Sequence, residues 1–161
     1  MSCQKLFVDQ YNANYNEENW FPTIQKALAG LTLEQANRKE GTANHSIQQL
    51  VNHLIFWNER YLLRFTERPL SEMKKSEEDV TFEIDVKEWD KTLVKLNSVM
   101  TELGDVIKNA DEEKLQSSPF KDSDDSWYSV ISNINIHNAY HIGQIIYIRK
   151  QQGSWESEKS S

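Results

Sequence analysis

A chain of 161 residues has enough length to bury one substantial core and too little for two domains of ordinary size, so a single domain over residues 1–153 is expected, with a polar, partly disordered tail at 154–161. A hydrophobic content of 38%, with 11% aromatic, excludes a disordered chain despite 27% charge. The net charge of −7, with no basic cluster larger than Lys74-Lys75, excludes a phosphate-backbone footprint, so no nucleic-acid partner is expected.

No apolar run approaches the ~20 residues of a membrane span, and the N-terminus is broken by Gln4, Lys5 and Asp9, so the expectation is a cytoplasmic protein without a membrane partner. The five glycines are scattered, and no phosphate-cradling loop is visible. The lone Cys3 can form no internal disulfide and is a poor candidate nucleophile.

The first segment, from about Gln4 to Asn19, is amphipathic through Phe7, Tyr11, Asn14 and Tyr15, and Pro22 forces a kink or a restart. A second piece continues to Leu28 before Gly30. Thr32 followed by Gln35 matches a capping box for a short turn, which leads into a polar linker at Glu40 to Asn44. A long helix follows from about Ser46 to Thr66, capped by Asn44, His45 or Ser46, with a seam of Ile47, Leu50, Leu54, Tyr61 and Phe65. Glu67 to Asp85 is acidic, solvated and poorly periodic, and ends in an extended TFEI. The next helix carries the clearest periodicity: Val86, Trp89, Leu93, Leu96, Met100, Leu103 and Ile107 alternate spacings of three and four. The last helix runs from about Ser126 to Gln151, with acidic caps at Asp124 and Asp125, a seam of Val130, Ile134, His137, His141, Ile145 and Ile148, and Gly153 as its stop. Four main helices with little strand signal predict an all-α four-helix bundle. The loop before the third main helix is long enough to cross the bundle, so the topology need not be simple up-and-down.

His137 and His141, four residues apart, share one face of the last helix, which is half of a metal site. Only His45 and His53 remain to supply a third imidazole. Helices of similar length packed side by side bring their middles together. His53 lies ~5 Å of rise from the centre of its helix and falls level with the pair, whereas His45 would be ~12 Å further along. His53, His137 and His141 are therefore the candidate ligands, and His45 is left as a capping or surface residue. The bland alternative is that each is a hydrogen-bonded core histidine, but buried imidazoles that converge need partners, and one shared metal satisfies several at once.

Missing residues narrow the chemistry. Asn138 stands where a zincin would carry its general-base Glu, and no His is preceded by Glu three residues earlier, so one metal is expected rather than a di-iron pair. Ser126 to Trp155 contains no Asp or Glu, and Glu59 lies about 120° off the face of His53, so no carboxylate base is built in. Activation then falls to the metal, which lowers the pKa of bound water or of a coordinating thiol. Asn133, Asn138, Gln144, Tyr140 and Tyr61 are candidates for orienting imidazoles or substrate, each more often simple packing. Trp57, Trp127 and Tyr147 are expected in the core.

The segment HSIQQLVNHLIFWNERYLLRF followed by a final HNAYHIGQIIYIRKQQGSW resembles the DinB/YfiT superfamily over essentially the whole chain. The resemblance implies a four-helix bundle, frequently homodimeric, with a three-His site for nickel or zinc, iron also being compatible; its positions fall on His53, His137 and His141. It also implies either a thiol-dependent transferase or isomerase or a metal-dependent hydrolase, and the absence of a carboxylate base favours an enzyme that activates a low-molecular-weight thiol for transfer to an electrophile. The alternatives are a hydrolase using metal-bound water, or a non-catalytic metal-binding or stress-associated protein. The substrate is a small molecule of unknown identity.

Overall fold

The computed structural model describes residues 2–39, 41, 45–71, 73, 81–82 and 88–156. The polar linker beyond Gly41, the acidic stretch apart from a few positions, Val86 and the end of the tail lie outside the described residues. Those described form helices: α1 (Cys3–Tyr15), α2 (Ile24–Leu28), α3 (Leu33–Asn37), α4 (Ile47–Phe65), α5 (Trp89–Asn109), α6 (Glu112–Gln116) and α7 (Trp127–Gln151). No strand occurs among them.

Every described helix except α5 starts where a hydroxyl or carboxylate satisfies an orphan backbone N–H. Thr32 with Gln35 and Ser46 with Gln49 both close full capping boxes, the first as expected and the second choosing Ser46 among three possible caps. At α7 the acidic caps do not form. The Ser126 hydroxyl accepts from Ser129 N, while Asp125 is engaged with Ser123 instead. Gly153 takes φ of 72°, a left-handed turn that closes α7 as expected. The first helix ends at Tyr15, short of Asn19, and Thr23 caps a restart one residue beyond Pro22.

Four long helices make the bundle, and side-chain pairs give their directions. Gln48 meets Thr92, Glu59 meets Lys95 and Arg68 meets Glu102, so α4 and α5 run parallel. Tyr11 donates to Met100 O, and the Gln4 amide donates to Ile107 O and Ala110 O, so α1 is antiparallel to α5. Phe65 packs on Trp127 while His53 reaches His137, so α4 is antiparallel to α7. Around the bundle the order is α1, α5, α4, α7, with up-down-down-up directions. The crossover topology is thus real. Because α4 and α5 are parallel neighbours, the end of α4 and the start of α5 lie at opposite ends of the bundle, separated by the ~28 Å length of α4. Consecutive long helices α1 and α4 lie across the diagonal, as do α5 and α7.

The core is the shared interior of these faces. Leu96, Met100, Leu103 and Ile107 of α5 meet Leu50, Leu54 and Leu62 of α4 and Ile131, Ile142 and Ile145 of α7, all buried. Each such side chain contributes about 1.5–3 kcal/mol of transfer free energy. Tyr11 from α1 passes so close to Gly104 that a Cβ there would stand 3.1 Å from its ring, which sets the α1–α5 approach. Trp127 is core as expected, but Trp57 is half-buried and Tyr147 is exposed, so neither is. No described helix is long and apolar enough to cross a membrane.

Candidate metal centre

The antiparallel packing of α4 on α7 brings His53 to His137 and His141. The His53 Nε2 and the His141 Nε2 each lie 3.1 Å from the His137 Nε2. The three offer one ligand atom each, all within 4.8 Å of one another. Two nitrogens bound at 2.0–2.1 Å to one tetrahedral zinc stand about 3.4 Å apart, so the two spacings from His137 are within a few tenths of an ångström of those in a metal cage.

The opposite ring nitrogens are already engaged. His141 Nδ1–H donates to Gln144 Oε1 at 2.6 Å, one turn along the same helix. His53 Nδ1 meets Thr81 Oγ1 at 2.8 Å. In the tautomer that donates these protons outward, the Nε2 lone pairs face the shared centre, which is the arrangement a metal-ligating imidazole needs. Burial, reinforced by His141, His137 and His45 nearby, pushes His53 down to about 3. Burial and His141 push His137 down to about 4, and burial also lowers His141 against the opposing pull of Gln144. All three are therefore neutral near pH 7, the state in which imidazole is a ligand.

Behind the trio, Asn58 and Asn138 form a reciprocal amide pair: each Nδ2 donates to the other's Oδ1, at 2.8 and 3.1 Å. Both are 1% exposed. This pair locks the register of α4 on α7 next to His137, and explains why an amide replaces a carboxylate at position 138. Asn58 had a sequence signal: it is a polar residue within the apolar seam of Leu54 and Phe65.

Thr81 and Phe82 carried no such signal. The TFEI segment was expected to be extended; instead Thr81 is helical and Phe82 lies in a turn, both buried. Phe82 stacks on His53 with centroids 4.3 Å apart and, on its other side, on His45 at 3.9 Å. His45 is thus neither the cap nor a free surface residue; it is half-buried in a column with Phe82 and His53, while Ser46 does the capping. Sequence reading missed this because the contact is made by a connection with no periodicity.

A cavity of about 550 Å³ opens from the trio between α4 and α7, lined by His53 and His137 and by Trp57, Tyr61, Asn133, Phe120 and Asp125 among others. Of the other proposed orienting groups, Tyr140 is largely exposed and packs edge-on to His141 at 5.0 Å. Glu59 turns away to Lys95 at 2.7 Å. A carboxylate does reach the cavity, but it comes from the loop before α7: Asp125 lies twelve positions from His137, roughly 15 Å along the axis, and cannot serve as a base at the trio.

A family model described as the DinB superfamily matches residues 17–145, a span that holds all three histidines. No curated protein and no solved structure matches the chain.

Proposed function

The chain belongs to the DinB superfamily, and from that premise we propose that His53, His137 and His141 hold one divalent ion, nickel or zinc, that activates a low-molecular-weight thiol for transfer to an electrophile bound in the adjoining cavity. The carrying observation is the convergence of three neutral imidazoles whose outward nitrogens are occupied by Gln144 and, at His53, Thr81. When bound, such an ion is a Lewis acid that lowers the pKa of a thiol or water beside it. The chain's own part is to hold the ligands neutral, fix their tautomers and exclude water on the Phe82 side. Among the described residues no carboxylate stands at the trio to take a proton from water, Asp125 being remote and Glu59 turned outward, which favours the thiol over the hydrolytic alternative.

The test is metal content by mass spectrometry on protein purified without a polyhistidine tag, for the native chain and for His53→Ala and His141→Ala. About one equivalent in the native chain, lost in both variants, is expected. No metal in the native chain after reconstitution would refute the reading. Turnover of electrophiles that requires added thiol separates transfer from hydrolysis; a metal-loaded chain inactive with both would leave the non-catalytic alternative.

A homodimer is part of the same proposal. On α7, Ile136, Tyr140 and Tyr147 are exposed and fall with Gly143 on one stripe opposite the buried face. Such a stripe, with a glycine at its middle, suits a two-fold contact with a second copy. Light scattering should give twice the monomer mass, and Tyr147→Lys should halve it.

A further inference from the structure

The cavity has two chemically different walls in register. On α4, His53, Trp57 and Tyr61 follow at four-residue spacing; on α7, His137, Asn133 and Ser129 follow in the same step, running the opposite way, with Asp125 in the loop just before the helix. Each wall starts at the trio. One becomes aromatic, with the Trp57 and Tyr61 rings stacked at 6.4 Å and 28°, and the other carries the polar strip of Asn133 and Ser129 beside Val130 and Ile134. From the level of His137 to that of Ser129 the groove is ~12 Å long. Phe120 and Asp125 also line it.

Among the described lining residues, Asp125 is the one that carries a full charge at neutral pH, and the loop that bears it also holds Asp122 and Asp124. An anionic group at this end would face those carboxylates. A cationic group would meet Asp125 together with the face of Tyr61, which attracts cations through the ring quadrupole; the Phe120 ring already carries the Arg64 guanidinium, 5.4 Å from its centroid.

We propose that this groove selects an acceptor substrate made of a planar apolar body carrying an amine: the body lies on Trp57 and Tyr61, the ammonium sits at Asp125, and the reacting end points to the three histidines. The last element rests on the proposed function; the recognition of body and cation does not. Trp57 and Tyr61 bind the flat body by stacking, and the polar strip of Asn133 and Ser129 faces its edge.

Three probes with the same indole body test this by isothermal titration calorimetry: tryptamine, tryptophol and indole-3-propionate, each with the native chain before and after chelator treatment. Tryptamine is expected to bind about tenfold tighter than indole-3-propionate, with tryptophol between them. Asp125→Asn should bring the two ends of the series within about twofold, and Ser129→Lys, one turn along the same wall, should invert the order. Both changes lie on exposed positions, so folding should be unaffected by far-UV circular dichroism. Equal binding of the three probes, binding of none, or a preference that survives Asp125→Asn would each overturn the proposal. The preference should persist in chelator-treated protein and in His141→Ala, so a failed metal site and a failed groove give different results.

Discussion

Replacing Asn58 by Ala removes two amide–amide hydrogen bonds, at 2.8 and 3.1 Å, and strands the Asn138 amide at a position only 1% exposed. The two bonds contribute about 1 kcal/mol each, and an unsatisfied buried amide adds roughly 1–3 kcal/mol, so the expected loss is at least about 3 kcal/mol. Set against a typical total of about 5–15 kcal/mol, that is a large fraction. Urea unfolding followed by circular dichroism should show the midpoint falling by at least about 1.5 M for a slope near 2 kcal/mol/M. Asn138→Ala should cost about as much. The double variant Asn58→Leu/Asn138→Leu, which removes both partners and refills the space, should lie within about 1 kcal/mol of the native chain. Single losses under about 1 kcal/mol, or a double variant whose loss equals the sum of the singles, would refute the view that this pair is a coupled lock.

Acid should destabilise the metal-free chain. With His53 at about 3 and His137 at about 4 in the fold against ~6.5 when unfolded, the unfolded chain takes up more protons between those values; the trio's contribution is whole above pH ~6.5 and is lost as pH falls toward 4, and a flat urea midpoint from pH 7 to 4.5 in a comparison with His53→Ala would contradict this. Gln144→Ala frees the His141 ring and should weaken metal binding by about ten- to a hundredfold in a chelator competition while leaving helicity unchanged. Ser46→Ala breaks the capping box at the start of α4 and should cost about 1 kcal/mol in the same urea assay, with Ser46→Asp largely restoring it.

Periodicity carried the reading of the bundle because a helix that buries one face must repeat apolar residues at three and four. The α5 seam from Trp89 to Ile107 and the α4 seam from Ile47 to Phe65 are buried at the expected positions except Leu93 and Tyr61, which are half-buried. The same logic placed His53, His137 and His141 together: mid-helix position converts directly into height in a bundle of similar helices, and the three ligand atoms do converge. Helix ends were less legible. At the start of α7, Asp124, Asp125 and Ser126 all have capping chemistry, and only backbone geometry chose the serine.

What the sequence determined by itself is therefore local and periodic: the helices, their buried faces, the capping boxes and the pair of imidazoles one turn apart on α7. What only the tertiary structure decided is how distant segments meet. Thr81 and Phe82 reach His53 from a connection without periodicity, Asn58 finds Asn138 eighty positions away, and Asp125 enters the cavity from a loop. The parallel run of α4 beside α5 belongs to the same class. Spacing along a helix specifies which face a residue takes, because rise and turn are constant; which partner covers that face depends on the course of the connecting chain, whose dihedrals follow no repeat.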